Sequence, residues 1–152
     1  MWFATPLLAS EIPLLFEEPT EEVKSTLQPW VDDLLANRGS EDPFSDYRFY
    51  SISEDTLKSI RNGEDTHFEF NYSDKYRYQV SIVRVREKDT DWYFSGKDID
   101  NSDSLLVITT FPNGKTHGDF HVPGVGIFLI RATNTLPYHI VYLATGTYKN
   151  FE

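Results

Sequence analysis

Residues 66–143 alternate, about every ten residues, between a short stretch with apolar side chains at every second position and a turn. A period of two gives each stretch one face to bury, so the stretches must pair edge to edge and close around a shared interior. Phe68, Phe70 and Tyr72 alternate with His67, Glu69 and Asn71. Tyr76, Tyr78, Val80 and Val85 mark a long strand whose polar positions include Arg77, Arg84 and Arg86. Trp92 opens a strand over 92–95. The nearly continuous apolar run 105–111 marks a central strand. Pro112-Asn113-Gly114-Lys115 is a strong hairpin turn, because Asn-Gly accepts positive φ. Strands follow at 116–122, 127–132 and 138–144, with Pro123-Gly124-Val125-Gly126 as one of the turns between them. With 47–52, where Tyr47, Phe49 and Ser51 alternate with Arg48, Tyr50 and Ile52, the expectation is a mainly β (α+β) fold. It would be an antiparallel meander forming a barrel or sandwich, with short N-terminal helices. Nine Tyr and eleven Phe suit such sheets.

The first 45 residues read as a helical and loop-like extension, and 46–152 as the antiparallel β domain, within one globular unit. Two segments, 20–27 and 29–38, have helical spacing. Pro29 suits the first turn of the second, where its missing N–H does no harm. Trp30, Val31, Leu34 and Leu35 then share a face, and Gly39 is a plausible stop. Glu17, Glu18, Glu21 and Glu22 suit the start of the first segment. A short helix over 53–62, with Leu57 and Ile60 pointing inward, ends at Gly63.

A net charge of -10 argues against nucleic acid and against an anionic membrane surface, both of which need clustered Lys and Arg. Cysteine is absent, which removes disulfides, thiolate zinc sites and a cysteine nucleophile. No stretch approaches the roughly 20 apolar residues of a membrane span. The apolar start, Met1 and its neighbours up to Leu8, lacks a basic region and runs into Glu11, so it is not an intact signal peptide. An exported chain would have lost its signal, with Met1 left from expression. A secreted or periplasmic place fits, and a cytoplasmic one is not excluded.

Candidates for chemistry are few. His117 and His121 form an H-x-x-x-H pair, but on a strand they sit about 13 Å apart, too far to share one metal ion unless a bulge at Gly118 folds the strand. They are the weak metal candidates, with Asp119 between them expected on the opposite side. Asp98, Asp100, Asn101 and Asp103 resemble a calcium loop in composition, yet the sixth-position glycine and twelfth-position glutamate are missing, with Phe111 in the latter place. The Pro-Gly-Val-Gly stretch has no helix and lysine after it, so it is a turn. No serine sits in a nucleophile elbow. The expectation is no enzyme, no catalytic residue and no cofactor.

The block that begins "FEFNYSDKYRYQV" at Phe68, read in order, resembles the propeptides of bacterial reprolysin/adamalysin-like zinc metalloproteases. Arg48 with Leu57 matches the opening Arg-to-Leu spacing, and Phe68 and Phe70 the first aromatic strand. Trp92 and Gly96 stand near a "W-x-G" step, though spaced by three residues. Ser104, Gly114 and Gly118 match the later strand and glycine positions. The resemblance spans roughly residues 46–144 and rests on order and spacing rather than on one motif.

The resemblance implies a non-catalytic domain that assists folding of a zinc metalloprotease, in cis or in trans, and keeps it latent by covering its cleft. Animal relatives can block the zinc with a cysteine. With none here, latency would come from steric cover or from a His, Asp or Glu at the zinc. Two other readings stay open: an acidic immunity-type protein neutralising a basic partner, and a lipocalin-style binder of a small ligand inside a barrel.

Overall fold

The computed structural model describes residues 12–36 and 46–144. Nine strands form one antiparallel sheet that curls into a nearly closed barrel. In chain order they are β1 (Phe16–Glu17), β2 (Tyr47–Ile52), β3 (His67–Asn71), β4 (Arg77–Lys88), β5 (Asp91–Asp98), β6 (Asn101–Thr110), β7 (Thr116–Val122), β8 (Gly126–Ala132) and β9 (Tyr138–Ala144). Helix α1 (Glu21–Ala36) follows β1, and α2 (Glu54–Arg61) links β2 to β3. Strands β3 to β9 form a meander of successive neighbours; β9 then pairs with β2, and β2 with β1.

The remaining gap lies between β2 and β3, and residues 13–17 seal it. Leu15 N–H donates to Glu69 O at 3.0 Å and Glu69 N–H to Pro13 O at 2.8 Å. On the other side Phe16 pairs with Ile52, and Ser53 N–H donates to Leu15 O at 2.8 Å. The Asn71 side chain continues the seam in place of main chain: its Oδ1 accepts from Phe16 N–H at 2.9 Å and its Nδ2 donates to Phe16 O at 3.0 Å. The expectation of a purely helical and loop-like start is therefore corrected: a strand from that stretch belongs to the barrel.

Alternation sends one set of side chains inward. Phe16, Phe68, Phe70, Tyr72, Phe94, Phe120 and Phe128 are 2% exposed or less, and they fill the interior as a continuous set of rings. Phe70 lies edge-on to Phe16, Phe120 and Phe128, with centroids at 5.0, 4.8 and 5.3 Å. Gly96 and Gly118 face the same space. Helix α2 contributes Ile60, fully buried, and Leu57 to this core. It starts where Ser53 Oγ accepts from Thr56 N–H at 3.2 Å. The expected helix over 53–62 forms with its inward pair and its stop at Gly63, which adopts a φ of 75°.

A second core lies outside the barrel. Leu27 and Val31 of α1 pack on Phe49, Leu129, Ile140 and Tyr142, the outward residues of β2, β8 and β9. Trp30 and Leu34 join them, as their spacing predicts; Gly39 and the side chain of Leu35 lie outside the described residues. The expected break at Pro29 does not occur: α1 runs through it as one helix. Pro29 sits on the exposed side, so the carbonyl it leaves without an N–H partner can turn to water while the opposite face stays packed. Pro29→Ala should restore one intrahelical bond and raise stability by about 1–3 kcal/mol, read from the urea midpoint. No helix among the described residues is long and apolar enough to cross a membrane.

Candidate functional site

Several of the sequence motif positions lie inside the barrel. Phe68 and Phe70 are core rings. Trp92 stacks on Phe94 at 5.6 Å, with the Arg61 guanidinium over its ring at 5.4 Å. Ser104 is fully buried; its Oγ accepts from Asp98 N–H at 2.8 Å and donates to Asn101 O at 2.7 Å. Gly96 lies where β4 crosses close behind β5, and Gly114 makes the β6–β7 turn at a φ of 92°. Gly118 sits between Ile108 and Ile130. Leu57 is on α2. Arg48 is exposed at the barrel end, its guanidinium 5.4 Å from the centre of the Tyr72 ring. These positions are spread around the whole sheet and do not converge on one site.

The polar atoms inside are few. Burial is the main cause that pushes the Tyr72 phenol above its ordinary range, with Asp46 adding to it. Burial pushes the Tyr78 phenol up to about 12. His139, 1% exposed, accepts from Thr116 N–H at 2.9 Å through Nε2, and its Nδ1 lies 2.8 Å from Pro137 O. That pair of contacts fits one neutral tautomer, with Nδ1–H donating. Burial accordingly lowers the pKa of His139.

Above the ordinary histidine value of 6.5 the ring is neutral in both folded and unfolded chains. Below it the unfolded chain takes a proton that the folded chain refuses. Stability should then fall by up to about 1.4 kcal/mol per pH unit until the lowered folded value is reached. Urea midpoints of wild type and His139→Gln, compared from neutral pH down to about pH 5, should diverge in that sense.

The loop of aspartates is a pair of turns. Asp98 Oδ1 accepts from Asp100 N–H and Asn101 Oδ1 from Asp103 N–H, both at 3.1 Å. Strand β6 starts at Asn101, so the connection itself is only Ile99 and Asp100. His117 and His121 do share the outer face of β7. Asp119 shares it too, contrary to expectation, because two residues on is one full strand period; the alternating burial of β7 shows this. Burial and then the charge of Arg131 lower the pKa of His117. Among the described residues no three His, Asp or Glu side chains converge to hold a metal ion.

Among the described residues, no element covers the outer wall of β4–β7. Leu105 and Val107 stand out from β6 at 48% and 38% exposure. Leu105 is paired with His121, and Val107 with Asp119 and, on the other side, Ser95. Tyr93 and Thr109 continue the wall toward the exposed arginines of β4. Arg131 closes its far border, bound to Asp119 at 3.1 Å and to Gly118 O at 3.0 Å. Sequence reasoning marks 105–111 as a central strand, which it is, but misses that Leu105 and Val107 are surplus to the core. Their signal is a lack of polar alternation, which β8 and β9 also show because α1 covers their outer face.

Fold and surface together define a small, filled antiparallel barrel with one wall covered by a helix and one left bare among the described residues. Compared with protein-family models, with curated proteins and with solved structures, the chain matches none.

Proposed function

We propose that this chain is a non-catalytic, propeptide-like domain that binds a zinc metalloprotease, assists its folding and keeps it latent by covering the active-site cleft. The observation that carries a protein-binding role is the filled interior. Aromatic rings occupy the space that a lipocalin-style binder would keep for its ligand. One groove, of about 730 Å³, opens past Arg48, Tyr50 and Tyr72. The bare wall around Leu105 and Val107 offers apolar contact to a protein instead. The protease as partner rests on the order of Arg48, Leu57, Phe68, Phe70, Trp92, Gly96, Ser104, Gly114 and Gly118. With cysteine absent, cover is steric, or His117, Asp119 or His121 reaches the zinc from the exposed face of β7. Such a domain would work where its protease matures, in the periplasm or outside the cell.

The test is inhibition of a zinc metalloprotease encoded in the same gene or beside it, with the purified chain added in trans. A saturable complex and dose-dependent inhibition are expected. Leu105→Glu with Val107→Glu should weaken it about 10–100-fold without unfolding the barrel. Alanine at His117, Asp119 and His121 separates zinc contact from steric cover. A protease that folds and works without this chain, and neither binds it nor is inhibited by it, would sink the proposal. The acidity of the chain would then favour the immunity-type reading, a complex with a basic toxin.

A further inference from the structure

Strand β4 is much longer than the strand that covers its flank. On that side β3 pairs only with residues 77–81, the last pair being His67 with Ser81. The turn after α2 reaches one residue further, where Ile82 N–H donates to Thr66 O at 2.8 Å. From 83 to 88 the main chain has β5 on one side and, among the described residues, no strand on the other. Residues 83–90 are all exposed, so this part of the β4–β5 hairpin projects as an arm. Its unpaired N–H and C=O groups are a template for another strand.

The charges on the arm select what can pair there. Arg84, Arg86 and Lys88 point to the outer face, opposite Ser95, Tyr93 and Asp91 of β5. None of the three makes an ion pair within 4 Å among the described residues. Glu87, which alternates with them, is held on the inner side by Arg61 at 2.5 Å, and that guanidinium sits over Trp92, clear of the edge. Three unpaired cations in succession invert the sign of a chain whose net charge is -10. A second copy meeting this edge would set cation beside cation, which is destabilising, and the bulge between Ile82 and Arg84 disturbs flat self-pairing further. An extended segment with acidic residues at alternate positions meets no such penalty. It would satisfy the free main-chain groups and the three cations together.

We infer that residues 83–88 are a docking edge for an extended, acidic segment of a partner protein, which adds to the sheet as a tenth strand beside β4. This holds whether or not that partner is a protease.

The test uses the full chain and three capped hexapeptides: Glu-Val repeats, Lys-Val repeats, and Glu-Val repeats N-methylated at every amide. The plain acidic peptide should bind saturably, slow amide exchange in 83–88 by about tenfold and leave exchange elsewhere unchanged. N-methylation should abolish binding, because it removes strand pairing and keeps the charge. Arg84→Glu with Arg86→Glu, both exposed, should keep the wild-type unfolding midpoint and switch preference to the Lys-Val peptide. The inference is overturned if the methylated or the Lys-Val peptide binds wild type equally well. It is equally overturned if protection falls outside 83–88, or if saturating acidic peptide gives none.

Discussion

Phe70→Ala is expected to lower the unfolding free energy by about 3–5 kcal/mol, the range for emptying a buried phenylalanine site. Phe70 is fully buried and meets three other rings edge-on, from β1, β7 and β8. Each such ring pair adds roughly 0.5–1.5 kcal/mol beyond the area it hides. Because those partners come from strands on opposite sides of the barrel, the hole cannot be closed by moving one strand. Against a total of about 5–15 kcal/mol for a domain, the variant should stand near unfolding, with a Tm lower by roughly 6–20 °C. Thermal and urea denaturation followed by near-ultraviolet dichroism measure it. Phe111→Ala, at 38% exposure, is the control and should change stability by about 0.5 kcal/mol at most. A loss at Phe70 below about 1 kcal/mol would mean that the rings around it relax into the space, against the packing described above.

The second large effect is expected at Gly96→Ala. A Cβ there would stand 2.6 Å from Val80 Cγ1 and 2.7 Å from Ser81 O. The first atom belongs to a fully buried side chain; the second is main chain and cannot rotate away. The glycine also lies between two irregularities, the β4 bulge at Ile82/Arg84 and the β5 shift at Gly96/Asp98, where the sheet bends. Alanine usually gains about 0.5–1 kcal/mol over glycine through the unfolded chain. Here the clash should win, with a net loss of about 1–3 kcal/mol. Gly118→Ala is the informative comparison. Its new Cβ would meet only side-chain atoms of Ile108 and Ile130, at 3.0 Å, so its loss should be the smaller of the two. Parallel urea titrations decide; equal midpoints for the two variants would refute the reasoning.

Much of the sheet was legible in the sequence because strands such as β3, β5 and β7 bury every second residue and turns separate the rest. The boundaries at 47–52, 116–122 and 138–144 agree with β2, β7 and β9 to the residue. Where the signal was weak the cause is physical. Strand β1 has two residues, too few for any period, and part of its seam is an Asn71 side chain, which no pattern of apolar residues records. The ends of β4 escape because an arm exposed on both faces carries no alternation to read. Pro29 misleads because a proline on the solvent side of a helix loses one bond and no packing. The bare wall was present as the surplus apolar residues of 105–111, but only the register with β5 and β7 shows that Leu105 and Val107 face outward.

The seal between β2 and β3 sets the order in which such a barrel can be completed. Phe16 bonds to Asn71, 55 residues later, and β2 pairs with β9 near the other end of the described chain. A ribosome therefore delivers the sealing strand first and holds back its partners. The β1–β2 pair and the hairpins from β3 to β9 can form as they emerge, but the other edge of β2 stays unpaired until Ala144 has left the exit tunnel. Chains of this kind, rich in long-range pairing, fold on a scale of milliseconds to seconds. During synthesis the edge that waits longest is the β9-facing side of β2, and its brevity, six residues, limits what a neighbouring nascent chain can pair with.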